Sequence, residues 1–507
     1  MDRREFVMAA AAAATVPHAR PDSPEELSLT AIAAAFADGH SSSYELTQGY
    51  LARIDRLDRQ GPRLRAVIET NPRALEIAAT LDKERRSRGP RGRLHGVPIL
   101  IKDNVETADH MMTTAGSLAL EGWYAPTDAP LVERLRAAGA VILGKANLSE
   151  WANFRSTRAS SGWSARGGQC RNPYATDRTP SGSSSGSAVA VAANLCALAV
   201  GTETDGSIVS PASINGVVGL KPTVGLISRQ GIIPISRSQD TAGPLARSVR
   251  DAAVMLSVMA DSGADYARYV DPRGLRGARL GIARRFYADN APLNAYLDTC
   301  IAALKSAGAI IVDPADLGAH GTGTEGLELE VWLYEFKTDI NTYLQRLPPS
   351  FPVRSLAALI EFNQTHKARE MPLFDQERLR QAQARGELSD DVYRKARATC
   401  LNAMRNNGID AMLTQHKLDA IVTLTSGPAW LIDPVNGDSD IVNCASPAAV
   451  AGYPHITVPA GLFRGLPVGL SFYGAAFSEP TLIKLACGFE AVTRARTPPR
   501  FLSSIES

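Results

Sequence analysis

Residues 179–194 read TPSGSSSGSAVAVAAN, a glycine- and serine-rich stretch that runs directly into apolar sequence. Segments rich in glycine and serine are usually flexible linkers. Here the serines lead straight into AVAVAANLCALAV, which is apolar enough to be buried, whereas a linker is normally separated from a core element by a turn or a cap. The stretch therefore predicts a structured loop followed by a helix over 184–193, and one of its serines is a candidate for chemistry.

The composition is that of an ordinary globular protein. The 507 residues include 54 Lys+Arg and 52 Asp+Glu, a formal net charge of +2, with 45% hydrophobic and 21% charged residues. This balance gives no support for binding to nucleic acid or to a membrane surface. The six cysteines form no C-x-x-C pair and have no histidine at metal-ligand spacing, so we predict neither a metal nor another cofactor.

The N-terminal segment MDRREFVMAAAAAATVPHAR resembles an export signal. Arg3 and Arg4 are followed by Phe6 and an alanine-rich run, a pattern typical of the twin-arginine type. The run is too short to span a bilayer. We predict a signal over 1–19, a periplasmic or secreted protein and no stable membrane association. An alanine-rich N-terminal helix is the alternative interpretation.

Several short apolar runs have the character of buried strands. HGVPILIKDN (95–104) ends abruptly in Lys-Asp-Asn, and AVILGKAN (140–147) follows a helical pattern over Asp128–Ala138 that has Asp128 as a candidate N-cap. CALAVGT (196–202) continues the series. This order of strand, helix and strand predicts an α/β fold in which helices cover both faces of a large parallel or mixed β-sheet.

The middle of the chain has a different pattern. Residues 265–415 are richer in charge and in helical periodicity, and strand-like runs return at 418–425, 456–460 and 468–474. Because sheet-like sequence lies on both sides of this region, we predict one large domain over 28–503 with a helical insert at about 265–415.

Three residues are candidates for chemistry. Ser184 lies in G-S-S-S-G, which formally matches the G-x-S-x-G nucleophile elbow, but no strand pattern precedes it as that motif requires. Ser207 follows the predicted strand through the tight loop GTETDGS, where backbone N–H groups can converge on one point to form an oxyanion hole. The alternative for Ser207 is a capping serine at a helix start.

Lys102 is the third candidate. It ends an apolar run, and burial lowers the pKa of a lysine because the ammonium group loses hydration. A neutral amine can then act as a base. The alternative is a lysine that reaches solvent from a strand end.

Together these motifs resemble the amidase signature family. SGSSSGS (181–187), GTETDGSI (201–208) and GVVGLKPT (216–223) match its characteristic blocks, and GVPILIKDN matches its lysine motif. AGYPHITVPAG and LPVGLSFYG also fit, so the resemblance covers most of residues 30–500. Glu203, Asp205 and Val209 depart from the usual pattern.

The resemblance implies a serine–cis-serine–lysine triad. By motif, Ser207 corresponds to the nucleophile, Ser183 to the bridging serine and Lys102 to the base, with a cis peptide between Gly182 and Ser183. The oxyanion hole would be formed by backbone N–H groups of four residues: Thr204, Asp205, Gly206 and Ser207. The expected activity is that of a serine hydrolase that cleaves carboxamide C–N bonds through an acyl-enzyme.

The substrate is a finer question. GTETDGSI, SGPAW (426–430) and the export signal look most like the bacterial peptide amidases, which remove ammonia from C-terminal peptide carboxamides, and Trp430 is a candidate substrate contact. An aliphatic or aryl-acyl amidase remains the alternative, and a non-catalytic periplasmic binding protein is the alternative of a different class. The related chain of the glutamyl-tRNA amidotransferases shares the motifs, but it acts in the cytosol with partner proteins. We therefore predict a peptide or small-molecule amide as substrate and no obligate protein partner.

Overall fold

The structure is a computed structural model that describes residues 24–287, 289–317, 324, 326–439 and 443–505. The predicted export signal at 1–19 lies outside the described residues. In the part of the chain that is described, no helix is both long and apolar enough to cross a membrane. All six cysteines are buried and free.

The fold is organised around one mixed sheet of eleven strands. Its spatial order is β1-β3-β2-β6-β8-β7-β12-β13-β11-β9-β10, and a separate hairpin is formed by β4 and β5. The strands are β1 Val67–Thr70, β2 Pro98–Lys102, β3 Val141–Ala146, β4 Trp163–Ser164, β5 Gly168–Gln169, β6 Leu198–Glu203, β7 Val218–Lys221, β8 Thr241–Ala246, β9 Arg279–Ile282, β10 Ile310–Val312, β11 Ala420–Leu424, β12 His455–Phe463 and β13 Leu466–Tyr473.

Helices surround the sheet. Every residue of β2, β3 and β6 is buried, and because successive side chains of a strand point to opposite faces, both faces of the sheet are covered. The α-helices of the described residues are α1 Leu29–Ala37, α2 Ser43–Arg53, α3 Ala74–Arg88, α4 Pro130–Ala137, α5 Ser185–Ala192, α6 Val209–Ile214, α7 Val249–Met259, α8 Ala291–Ser306, α9 Leu327–Gln345, α10 Leu356–Thr365, α11 Lys367–Glu370, α12 Glu377–Gln383, α13 Asp391–Met404, α14 Asp410–His416, α15 Ser446–Ala451 and α16 Glu479–Thr493.

Serine N-caps begin several of these helices. Ser28, Ser42, Ser248 and Ser355 precede α1, α2, α7 and α10, and each side chain accepts a hydrogen bond from a backbone N–H of the first turn. The predicted cap of α4 is wrong. The N-cap is Ala129, because Pro130 occupies the first helical position, and Asp128 instead accepts a 2.8 Å hydrogen bond from Arg136 Nε.

The region at 265–415 is not a purely helical insert. It contributes β9 and β10 to the main sheet, and its helical part runs without a further strand from α9 to α14. Helical periodicity in the flanking sequence concealed these two strands, which have only four and three residues.

The parallel pairing in the sheet places the candidate lysine. β2 runs parallel to β6, with Ile101 opposite Val200, so the carboxyl ends of both strands lie at the same edge of the sheet. Lys102 is the last residue of β2, and the loop with Ser207 follows β6. Polar groups delivered by different parts of the sequence therefore meet at this edge.

Candidate active site

Lys102 is enclosed by hydroxyl and carbonyl oxygens. Its side chain is fully buried, and Nζ lies 2.8 Å from Ser183 Oγ, 3.0 Å from Ser184 Oγ, 2.8 Å from Thr202 Oγ1 and 3.1 Å from the Thr202 carbonyl oxygen. None of these partners is a carboxylate.

This environment favours the uncharged amine. Burial lowers the pKa of Lys102 well below its ordinary value, and the more distant charges of Glu203 and Asp240 oppose this shift only in part. A lysine in this state can accept a proton from a hydroxyl at its hydrogen-bonding distance, and Ser183 supplies such a hydroxyl.

Ser183 is held by the glycine- and serine-rich loop before α5. The peptide between Gly182 and Ser183 is cis, as the family resemblance implies. The Ser183 carbonyl oxygen accepts a 3.1 Å hydrogen bond from Ser149 N–H. A Cβ at position 182 would lie 2.1 Å from Ser149 Oγ, so the close packing of these segments explains the glycine at this position.

The loop with Ser207 is closed by the side chain of Glu203. Glu203 Oε2 accepts hydrogen bonds from Ile208 N–H at 2.7 Å and from Val209 N–H at 3.0 Å, which ties the end of β6 to the start of α6. Gly206 makes the turn with a φ of 77°. The alternative interpretation of Ser207 as a helix cap is not observed, because the N-cap of α6 is Ile208 and no side chain caps it.

Ser207 lies beside Ser183 but is not hydrogen-bonded to it. Ser184 N–H donates to the Ser207 carbonyl oxygen at 3.1 Å, which joins the two loops directly. Ser207 lines a cavity and is 8% exposed, and its hydroxyl makes no hydrogen bond to the described residues. The hydroxyl is therefore available to a molecule in the cavity.

Ser184 has a different environment. It is fully buried, its Oγ donates to the Thr202 carbonyl oxygen at 3.0 Å, and the same Oγ accepts from Lys102 Nζ. Because its hydroxyl is enclosed by these contacts, the structure does not favour Ser184 as an elbow-type nucleophile.

A cavity of about 320 Å³ opens over Ser207. All four residues expected to form the oxyanion hole line it. Trp430, the candidate substrate contact, also lines this cavity. The sequence did not indicate Trp332, Ser161 or Asp438, because these residues lie in distant loops and helices that carry no local motif. The lining residues are Ala152, Asn153, Phe154, Ser156, Thr157, Ala159, Ser161, Ser181, Gly182, Thr204, Asp205, Gly206, Ser207, Ser210, Ile214, Ile235, Trp332, Ser426, Trp430, Asp438 and Asn443.

The carboxyl of Asp205, in the loop over 204–207, interacts with a second buried carboxyl, that of Glu328. Burial raises the pKa of Asp205 to about 6, and burial together with the neighbouring Asp205 raises the pKa of Glu328 well above its ordinary value. Shifts in this direction favour the neutral form of a buried carboxyl over its charged form. Gln239 Nε2 adds a 2.9 Å hydrogen bond to Glu328 Oε1, and Trp332 Nε1 donates to Gln239 Oε1 at 2.9 Å.

Known proteins that match the chain identify its family. The family model for Amidase matches residues 45–483. The chain belongs to the amidase family. A "Probable amidase" of Arabidopsis thaliana is 41% identical over 522 residues, a match that covers 98% of this chain and 96% of that protein.

Solved structures and a further relative support the same assignment. The X-ray structure of the native peptide amidase from Stenotrophomonas maltophilia shares 52% sequence identity with this amidase, with a TM-score of 0.89 over 94% of this chain and 99% of that one. A "Putative amidase" of Arthroderma benhamiae is 37% identical over 491 residues, covering 89% of this chain and 79% of that protein. The predicted fold class and the prediction that the chain is an amidase are confirmed.

Proposed function

We propose that this amidase hydrolyses the C-terminal carboxamides of peptides through an acyl-enzyme on Ser207. The observation that carries the proposal is the contact of the buried Lys102 Nζ with Ser183 Oγ at 2.8 Å, next to a cavity lined by Ser207. A base, a relay and a nucleophile are thereby available without a histidine.

The proton path follows from these contacts. Ser207 Oγ gives its proton to Ser183 Oγ while Ser183 gives its own to Lys102 Nζ, and Ser207 Oγ forms a bond to the carbonyl carbon. The C–N bond then breaks, and the leaving amine takes up the relayed proton and departs as ammonia. Water attacks the acyl-enzyme by the same relay, which releases the peptide acid and restores Ser207.

The relay requires a hydrogen bond between Ser183 and Ser207 that the structure does not contain. Hydrogen bonds of this kind are commonly long or misaligned before substrate binds and tighten in the complex. The 3.1 Å bond between Ser184 N–H and the Ser207 carbonyl oxygen holds the two backbones against each other, and we expect the two serine side chains to reorient to complete the path.

The oxyanion would be stabilised by the turn over 204–207. The Ile208 and Val209 N–H groups are occupied by Glu203, which also attracts the Gly206 N–H. Of the four expected donors (Thr204, Asp205, Gly206 and Ser207), we therefore expect Gly206 to contribute least. Donors of this type contribute about 3–4 kcal/mol each to transition-state stabilisation.

A peptide amide is the favoured substrate. The relative from Stenotrophomonas maltophilia is a peptide amidase and shares 52% sequence identity over nearly the whole chain. An aliphatic or aryl-acyl amidase of the same family is the alternative, since the same relay serves any acyl group that the cavity admits.

We further propose that the enzyme is exported and needs no obligate partner. The Arg3-Arg4 motif supports export, which fractionation of cells that produce the full chain tests directly. Activity of the purified chain alone is expected, and a purified chain that gains activity only when other proteins are added would instead support an amidotransferase-like assembly.

The substrate class is tested by ammonia or aniline release from a panel of peptide amides, free amino-acid amides and anilides. We expect kcat/KM to be highest for peptide amides, and Ser207→Ala to abolish turnover of every substrate. Preference for anilides would assign an aryl-acyl amidase. Binding of peptide amides without turnover would support the non-catalytic alternative.

A further inference from the structure

The charges around the cavity all have one sign. Among the described residues that line it, the ionisable side chains are Asp205 and Asp438, and no lysine, arginine or histidine is present. The remaining lining residues are neutral and mostly polar or aromatic. The cavity is therefore a place where a positive charge is stabilised and a carboxylate is repelled.

Asp438 is fixed in place by neutral donors. Its carboxylate accepts hydrogen bonds from Ser161 N–H at 3.0 and 3.1 Å, from Ser161 Oγ at 2.6 Å and from Trp430 Nε1 at 3.2 Å. No basic side chain of the described residues forms an ion pair with it. Burial raises the pKa of Asp438, as expected for a carboxylate that has lost hydration without gaining a cation.

The two cavity carboxylates differ in how their charge is compensated. The charged form of Asp205 is favoured by interactions with the side chains of Ser446 and Glu328 and by the charge of the buried Lys221, which partly offset the effect of burial on its pKa. Asp438 has no such cationic partner among the described residues. A cation that enters the cavity therefore gains most from contact with Asp438, and Trp430, which also lines the cavity, offers an aromatic surface beside it.

We propose that Asp438 is a specificity-determining residue that binds a cationic group of the substrate, either the free α-ammonium or a lysine or arginine side chain of the peptide amide. This inference rests on the proposed function. Ser161 and Trp430 orient the carboxylate, and the carboxylate forms a charge-assisted hydrogen bond with the cation. Neutral peptides are accepted without this contact, and peptides with an acidic residue at the same position are disfavoured.

The experiment compares amidated tripeptides in which lysine, norleucine or glutamate is placed at each position, with free and acetylated N-termini. Ammonia release gives kcat/KM for each peptide. We expect one cationic group, at one position or at the N-terminus, to raise kcat/KM at least about 10-fold over its neutral counterpart, the size expected for a charge-assisted hydrogen bond. In Asp438→Asn this preference, taken as the ratio of kcat/KM for the cationic peptide to that for the norleucine peptide, should fall below about 2-fold.

Asp433→Asn is the matched control. Asp433 lies in the same loop, and its replacement changes the net charge by the same amount. Its carboxylate accepts hydrogen bonds from Val435 N–H and Asn436 N–H at 2.9 Å, and it does not line the cavity. We expect this variant to keep the cationic preference. Loss of the preference in both variants would indicate a general charge effect and overturn the assignment to Asp438.

The outcomes also separate this inference from the proposed function. If peptide amides are hydrolysed but lysine, norleucine and glutamate peptides react equally well, the inference is wrong and the peptide amidase assignment stands. If no peptide amide is hydrolysed, the proposed function itself fails. An unchanged lysine preference in a folded Asp438→Asn protein, with folding checked by circular dichroism, would also overturn the inference.

Discussion

Replacing Lys102 by methionine should remove activity while leaving the fold intact. Methionine has a similar volume and no basic group, so the variant keeps the packing and loses the proton acceptor. A general base contributes about 10²–10⁴-fold to the rate, and we expect kcat/KM to fall by this amount, which corresponds to about 3–5 kcal/mol of activation free energy.

The cost in stability is expected to be smaller. The uncharged amine contributes hydrogen bonds to Ser183, Ser184 and Thr202, and each such bond between neutral groups adds about 1 kcal/mol net. The free energy of unfolding should therefore fall by about 1–3 kcal/mol, against a typical total of about 5–15 kcal/mol. Urea unfolding followed by fluorescence measures this change, and ammonia release from a peptide amide measures activity.

The chain contains a matched control for this substitution. Lys145 at the end of β3 is also fully buried, its Nζ donates to the Val105 carbonyl oxygen at 2.7 Å and to Thr113 Oγ1 at 2.8 Å, and burial lowers its pKa to about 8. Lys145→Met should lose similar stability but keep kcat/KM within about 3-fold. If Lys102→Met retains more than a tenth of wild-type activity, or if both variants lose activity equally, Lys102 is not the general base.

Three further expectations follow from the same site and from the buried histidine. Ser183→Ala should lower kcat/KM at least about 100-fold because it interrupts the relay, whereas Ser184→Ala should lower it less than about 10-fold. Ammonia release measured for both variants checks this. A larger loss in Ser184→Ala than in Ser183→Ala would favour the nucleophile-elbow interpretation of Ser184. A pH–rate profile of kcat/KM should rise with pH, since the lowered pKa of Lys102 means that the base is charged and inactive below it and neutral above it; an activity maximum near pH 5 would contradict this. Burial, with the charge of Lys221, lowers the pKa of His455 to about 3. Below pH about 6.5 the unfolded chain therefore takes up a proton at this histidine, whereas the folded chain does not. The free energy of unfolding should fall by about 4–5 kcal/mol as the pH drops from about 6.5 to 3. Urea titrations at pH 7 and pH 4 measure this drop in the free energy of unfolding, which should be smaller in His455→Asn than in the wild type. An equal drop in both proteins would show that another group is responsible.

The parts of the fold that were predictable are those with a strong local pattern. β2, β3 and β6 are short, continuously apolar runs with polar ends, and the sequence places each within a few residues of its observed bounds. β10 was missed because it has three residues, none fully buried, within a region of helical periodicity. Such a strand is stabilised by its pairing with β9 and not by its own sequence.

The candidate site was predictable to a similar degree. Lys102 and Ser207 could be proposed from the expected burial and loop geometry. The bridging role of Ser183 could be proposed only from the family resemblance, because nothing in the sequence distinguishes it from the two adjacent serines. The hydrogen bond of Asp438 to Trp430 joins residues only eight positions apart, yet its place in the cavity is set by contact with Ser161, 277 positions away. No local signal could have indicated this contact.

The most direct test of the relay is the position of a covalent adduct on the enzyme. A fluorophosphonate probe followed by proteolysis and mass spectrometry identifies the labelled residue in the wild type and in Ser183→Ala, Ser184→Ala and Lys102→Met. We expect an adduct on Ser207 that forms rapidly in the wild type and in Ser184→Ala, and at least about 100-fold more slowly without Ser183 or Lys102. An adduct on Ser184, or labelling of Ser207 at an undiminished rate in Lys102→Met, would show that Lys102 and Ser183 do not activate Ser207.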